Sequence, residues 1–354
     1  MLSETGIPTG LNETLFKQLL LKKGLAESIN SDTNWNIFTN GYSNLTYLLL
    51  IEDKSYVVRR APKGAVKRGH DMKREYTVLS RLHPVFPEAP QTFLYADDKD
   101  VWDSHFYIME QKHGVVLTLK EARERQVLSE SFKVISDAWL RKLVELHGLD
   151  YKSAGLDEIG RPDGYVERQV TNWVKQYHAA ATEDIQEAEL VANWMRENQP
   201  STYDHSLIHN DFKYDNLMFD EKDWSKINAV LDWEMCTIGD PLMDLGTSLA
   251  YWSMPEDGPM ITQGLPSPTL MKGNPGRAEV VESYARMSGR PVDDICFYYV
   301  YGLFKLAVIA QQIYYRYHKG LTDNKKFANL NQACRFLCMM AWQAAQKKRI
   351  EKLF

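Results

Sequence analysis

No apolar run in this 354-residue sequence approaches the roughly 20 residues that a bilayer-spanning helix requires. The opening MLSETGIPTGLNETLFKQLLLKKG also lacks a basic stretch followed by a long apolar one, so the expectation is a cytoplasmic protein with no membrane partner. Cysteine is scarce. Cys236, Cys296, Cys334 and Cys338 sit among apolar residues without a paired CxxC, which argues for buried reduced thiols rather than disulfides or a thiolate metal site. A basic surplus is missing as well: the net charge is −5, whereas a nucleic-acid binder needs excess cations to neutralise phosphates. Neither an internal repeat nor a low-complexity tract is present. The 44% hydrophobic and 25% charged residues are those of an ordinary globular protein, and the length calls for one large or two coupled domains.

The first third carries strand signals. TNWNIFTNG (33–41), NLTYLLLIE (44–52), SYVVRRA (55–61), QTFLYAD (91–97) and HFYIMEQ (105–111) are rich in β-branched and aromatic residues and bounded by turn residues. Asp53-Lys54 is the expected two-residue hairpin turn. KRGHDMKREYTVLSRL (67–82) has helical spacing at Met72, Tyr76, Leu79 and Leu82 and stops before Pro84. After Gly114 the period changes: 129–148, 166–197, 277–288, 292–318 and 326–349 read as helices. The expectation is an α+β chain, with a small β-rich lobe at 1–112 and a larger helical lobe at 113–354 joined through Gln111–Gly114.

The chemistry concentrates in LIHNDFKYDNLMF (207–219) and INAVLDWE (227–234), where short apolar segments bracket polar loops. Phosphoryl transfer needs a carboxylate to accept the proton of the attacking hydroxyl and oxygen ligands to hold Mg²⁺ against the phosphates of ATP. His-x-Asp-x₄-Asn spacing supplies Asp211 and Asn216 from one loop. Asp232, at the end of the next apolar strand, takes the place of a second metal ligand, and Lys213 is a cation for the γ-phosphate. A lone aspartate in such a position is most often a turn residue or helix cap. The combined spacing favours catalysis. His209 is read as a structural residue of the loop.

These residues resemble the aminoglycoside phosphotransferase and choline kinase superfamily, and within it the kinase-like domains associated with acyl-CoA dehydrogenase proteins. The resemblance rests on HNDFKYDN (209–216), VLDWEMCTIGDPLMDLG (230–246), GYSNLTYLL (41–49), VVRRAP (57–62) and REYTVLSRL (74–82). Asn210 stands where relatives often have Gly. The resemblance implies a protein-kinase-like two-lobed fold and an ATP- and Mg²⁺-dependent small-molecule kinase acting on a hydroxyl. It further implies that Arg59 and Glu75 serve the α/β-phosphates, Arg replacing the usual Lys. Gly41-Tyr42-Ser43-Asn44 lacks the GxGxxG pattern, yet its amides and the Ser43 and Asn44 side chains can approach phosphates. Met109 and Glu110 fall where main-chain groups would read adenine, with an ordinary edge strand as the alternative.

Asp240 is read as the cap of a helix starting at Pro241 rather than as a catalytic group. The short segment after Asp232 and the absence of Ala-Pro-Glu disfavour a protein kinase. FYYVYGLFK (297–305) and IYYRYH (313–318) are either helix core or an acceptor wall, with core the commoner outcome. From Ser253 to Phe354 there are 14 Lys and Arg against 8 Asp and Glu, a bias toward a neutral or anionic acceptor that points, with the resemblance, to a hydroxyacyl-CoA. An aminoglycoside- or choline-type kinase and a nucleotide-binding pseudokinase remain the alternatives. The oligomeric state is not legible.

Overall fold

The computed structural model describes residues 6–38, 44–62 and 71–354 and divides into two units. One takes in the chain as far as Gly114 together with Ser153–Ile159 and Asn228–Met235, and the other holds the remainder.

In the first unit, α1 (Glu13–Lys22) begins at Asn12, whose side chain accepts the N–H of Leu15. No sequence signal had marked this helix. Strands β1 (Thr33–Ile37), β2 (Leu45–Ile51), β3 (Lys54–Arg60), β4 (Thr92–Ala96) and β5 (Phe106–Glu110) form an antiparallel sheet of order β1-β2-β3-β5-β4, with α2 (Met72–Leu82) between β3 and β4 in sequence. The β2–β3 turn is Glu52-Asp53, one residue earlier than expected, because Ile51 pairs with Lys54. Glu52 takes φ +56° there, and its carboxylate accepts the Glu27 N–H and the Ser31 hydroxyl.

Strand alternation separates two adjacent arginines. Tyr56 and Val58 of β3 and Phe106 and Ile108 of β5 face α1, packing with Phe16, Trp35, Tyr47 and Trp102. Arg60 belongs to that face: it lies 4.7 Å over the Trp102 ring and pairs with Asp103 at 3.0 Å. Arg59 therefore points to the opposite face, where α2 supplies Glu75.

The second unit runs through β6 (Val115–Val116), α3 (Leu119–Glu124), α4 (Ser129–His147), α5 (Tyr165–Ala180), α6 (Gln186–Glu197), β7 (Ser206–Ile208) and β8 (Leu217–Phe219). The chain then passes through β9 (Ile227–Val230) into the first unit and returns as β10 (Thr237–Gly239), followed by α7 (Pro241–Tyr251), α8 (Pro259–Gly264), α9 (Arg277–Ser288), α10 (Ile295–His318) and α11 (Leu330–Lys347). The expected helix over 166–197 is two helices, broken where Ala181 turns extended at ψ 132°. Phe297–Val308 of α10 are buried on every side, so FYYVYGLFK is helix core rather than an acceptor wall. Helices α7 and α10 meet at two glycines. A Cβ on Gly246 would stand 2.3 Å from the Tyr298 carbonyl oxygen and one on Gly302 2.4 Å from that of Gly246, so neither position admits a side chain. The cysteines are all free thiols, and among the described residues no helix is long and apolar enough to cross a membrane.

Candidate active site

Between β7 and β8 the residues 209–216 form a polar loop closed by a 3-10 turn at Tyr214–Asn216. The Asp211 carboxylate is gripped from two sides. Lys213 Nζ donates to Oδ1 and Oδ2 at 3.1 and 2.9 Å, and Asn216 Nδ2 donates to Oδ2 and to the Asp211 carbonyl, each at 2.8 Å. Lys213 Nζ also lies 4.4 Å over the Tyr251 ring at the end of α7. The Asp211 side chain keeps 17% of its surface exposed, enough for a ligand to reach it.

The loop is held from beneath by residues that the motif does not contain. Asp244 of α7 is fully buried, and its carboxylate accepts the main-chain N–H groups of His209 and Asn210 at 2.7 and 2.8 Å. Burial works against this charge, but the hydrogen bond from His147 and the neighbouring histidines outweigh it and keep the carboxyl below the ordinary aspartate value. His147 Nε2 lies 3.2 Å from Asp244 Oδ2, and its Nδ1 lies 2.8 Å from the Tyr284 hydroxyl. Burial lowers the imidazole pKa below the ordinary histidine value, more than Asp244 raises it. Ser248, one turn after Asp244, donates to the Phe212 carbonyl at 2.7 Å.

Asn210 adopts φ +68°, a left-handed conformation that asparagine tolerates better than other side chains. This accounts for Gly being its usual counterpart. Its Nδ2 donates to the Tyr165 hydroxyl at 3.3 Å. Asp240 caps α7, accepting the Leu242 N–H at 2.8 Å and the Tyr298 hydroxyl at 2.5 Å.

In the first unit, Arg59 is the centre of an acidic cluster. Its Nη1 lies 2.5 Å from Glu75 Oε1, and its Nη2 lies 3.7 Å from Asp232 Oδ1 and 3.8 Å from Glu234 Oε2. Burial opposes the Arg59 charge, but Glu75 and the surrounding Tyr107, Asp232 and Glu234 outweigh it and hold the guanidinium more firmly protonated than usual. Burial is also the larger influence on Glu75 and raises its carboxyl even beside the cation. Asn44 Nδ2 donates to Glu234 at 3.1 Å.

Asp232 reaches this cluster because its segment is anchored on both sides. Val230 N–H donates to the Glu88 carbonyl at 2.9 Å, and Trp233 packs edge-on against Phe86 while its indole N–H donates to the Val230 carbonyl. Asp232, a predicted site residue, takes φ +65° in the left-handed region, as Asn210 does. Ser43 lies outside the described residues. Met109 and Glu110 end β5, where the Glu110 amide donates to the Gln91 carbonyl at 2.8 Å.

The donor chemistry suits a hard divalent cation. In the first unit, Asp232 Oδ1 is buried and accepts no hydrogen bond among the described residues; in the second, Asn216 commits its Nδ2 to Asp211, and its amide oxygen is the kind of donor such a cation takes. No group of three or more His, Cys, Asp or Glu able to cage an ion occurs among the described residues. Mg²⁺ does not demand one, since it is commonly held by one or two carboxylates plus phosphate oxygens and water.

Sequence spacing located Asp211, Lys213, Asn216 and Asp232, and the structure brings the first three together. It did not reveal Asp244 as the loop's anchor, nor Glu234 in the Arg59 cluster. Burial of Asp244 is a tertiary property that spacing does not carry.

A small antiparallel sheet unit, a larger helical unit and a clamped carboxylate loop are the make-up of a kinase-like phosphotransferase. The phosphotransferase enzyme family matches residues 34–278, and the chain belongs to that family. It is 34% identical over 301 residues to acyl-CoA dehydrogenase family member 11 of Homo sapiens, covering 82% of this chain and 38% of that protein. The chain thus spans well under half the length of that relative. A solved Ralstonia eutropha structure assigned to the aminoglycoside phosphotransferases superposes with a TM-score of 0.80 at 27% identity, covering 94% of this chain and 97% of the other. A thermostable mutant of aminoglycoside phosphotransferase APH(4)-Ia, in a ternary complex with AMP-PNP and hygromycin B, shares the fold at a TM-score of 0.58 and 14% identity, with 94% and 98% coverage. Family and fold together make the chain a kinase-like phosphotransferase.

Proposed function

We propose that this phosphotransferase moves the γ-phosphoryl group of ATP to a hydroxyl of a small metabolite, with Mg²⁺ held by Asp232 and Asn216. The observation that carries the reading is the Asp211 carboxylate, clamped by Lys213 and Asn216 yet open to a ligand. The acceptor hydroxyl gives its proton to Asp211 as its oxygen attacks the γ-phosphorus. The bond from that phosphorus to the β,γ-bridging oxygen breaks, ADP departs, and Asp211 then releases the proton to solvent. Lys213 places positive charge beside the reacting oxygens, where negative charge builds up.

Bound Mg²⁺ offsets the charge of the phosphate oxygens. Arg59 binds the α/β-phosphates and Glu75 fixes the direction of its guanidinium, with Ser43 and Asn44 as further phosphate contacts. The Glu110 amide is committed to the Gln91 carbonyl, so reading of adenine after Met109 and Glu110 falls to the peptide groups that follow. AMP-PNP in the APH(4)-Ia complex supports nucleotide use.

The acceptor reading is a hydroxyacyl-CoA. It is supported by the acyl-CoA dehydrogenase name of the human relative and by the basic excess after Ser253, which suits an anionic acceptor and opposes a polycationic aminoglycoside. The test is ADP release from ATP with Mg²⁺, offered hydroxyacyl-CoA esters, free hydroxy acids, choline and kanamycin-type aminoglycosides side by side. Turnover of the CoA esters supports the reading; efficient turnover of aminoglycosides alone overturns it.

A further inference from the structure

We infer that Lys305 of α10 is a positioning residue for the phosphoryl transfer, its buried ammonium fixing the peptide that carries Asp211. The inference rests on the reading of Asp211 as the base. Lys305 is 2% exposed, and its Nζ donates to the Asn210 carbonyl oxygen at 2.7 Å. That oxygen belongs to the peptide group joining Asn210 to Asp211. The N–H of Asn210 is already taken by Asp244. A residue strained at φ +68° is therefore bracketed by a carboxylate on its amide and a cation on its carbonyl, immediately before the base.

The packing explains why both reach the loop. Gly246 and Gly302 let α7 and α10 approach closely, with Asp244 half a turn before one glycine and Lys305 nearly one turn after the other. A neutral donor would satisfy one carbonyl at a lower desolvation cost than a lysine. What the ammonium adds is charge. Asp211 and Lys213 on the loop and Asp244 on α7 are the charged groups acting on it among the described residues. Helices α5, α6 and α11, which also pack against α10, present no charge to it, and α5 offers only the Trp173 ring at 5.9 Å. The Asp211 and Asp244 carboxylates both favour the Lys305 ammonium, and Lys213 opposes it. Burial draws the ammonium pKa down to about 8.

The experiment compares the full chain with Lys305→Met, which keeps the stem and removes the ammonium, and Lys305→Gln, which keeps a donor and removes the charge. Amide hydrogen exchange is followed for residues 206–217, a readout independent of any acceptor. Protection of that segment should fall in the Met variant, less in the Gln variant, with other peptides unchanged. If the Met variant does not fold, the Gln variant carries the comparison. Unchanged protection of the loop overturns the inference. With the best acceptor of the panel, kcat should fall on the order of 10²-fold in the Met variant with nucleotide KM held within about twofold. Wild-type kcat should decline above about pH 8 as the ammonium deprotonates, and this limb should vanish in both variants. An alkaline limb that survives the substitution, or a loss falling equally on kcat and nucleotide affinity, also overturns it. An exchange response without turnover of any acceptor supports the positioning of the loop and counts against the proposed function instead.

Discussion

Asp244 Oδ2 accepts the main-chain N–H of His209 at 2.7 Å, from a position with no exposure to solvent. The other oxygen serves Asn210, so a single side chain satisfies two consecutive buried donors. Asp244→Ala should destabilise the protein by roughly 2–6 kcal/mol, because each of the two buried donors left unmade costs about 1–3 kcal/mol. Urea unfolding checks this, and an unchanged midpoint would sink it. Transfer should fall further than stability alone explains, since the loop loses its geometry.

The Arg59–Glu75 pair separates stability from nucleotide binding. Removing Arg59 strands the buried Glu75 carboxylate, and Arg59→Met alone should lower stability by about 3–5 kcal/mol. The double change Arg59→Met with Glu75→Leu should recover most of that loss. It should leave ATP affinity poor, because the phosphate cation is gone. Recovery of both quantities in a calorimetric titration would exclude Arg59 from the nucleotide site.

Asp211 and Asp232 are predicted to fail differently. Asp211→Ala should reduce transfer by about 10²–10⁴-fold while ATP still binds, as expected for loss of a general base. Asp232→Ala removes a metal ligand, so it should weaken nucleotide binding in Mg²⁺ and have less effect in its absence. Equal nucleotide affinities for the two variants in Mg²⁺ would contradict the assignment.

Asp240 gives stability a pH dependence of unusual sign. Burial raises its carboxyl from 3.8 to about 6, more than the hydrogen bonds from Tyr298 and Leu242 lower it. Its protonated form is thus favoured by folding: below 3.8 the contribution is complete, and it is lost as pH rises through about 6. His147 works oppositely in the same region, because its lowered pKa makes the unfolded state bind more protons as pH falls below the ordinary histidine value of 6.5. Asp240→Asn should remove the Asp240 part, so that its stability declines more steeply on acidification from pH 6 to 4 than that of the wild type. Identical pH profiles in chemical denaturation would refute this.

Much of the fold was legible because its signals are local. β-Branched and aromatic residues between turn residues identified the β-rich first third, and helical period marked 129–148 and 277–288 closely. The Asp240-Pro241 cap reads directly, since the side chain that accepts and the amide that donates are two residues apart. Helix α1 was missed: its buried Phe16 and Leu20 gain meaning only beside Trp35 and Trp102. The hairpin turn slipped by one residue because its register follows the φ +56° of Glu52, which is held by Glu27 and Ser31 about 20 residues away.

The sequence by itself determined the reacting groups, because Asp211, Lys213 and Asn216 lie within six positions and their chemistry follows from residue type and spacing. Tertiary structure alone decided what makes them stiff. Asp244 and Lys305 come from 33 and 94 positions after Asp211, and although the apolar neighbours of Lys305 mark a core helix, they do not say which group its ammonium meets. They act on the loop only because α7 and α10 pack glycine against glycine, which brings a carboxylate to one side of Asn210 and an ammonium to the other.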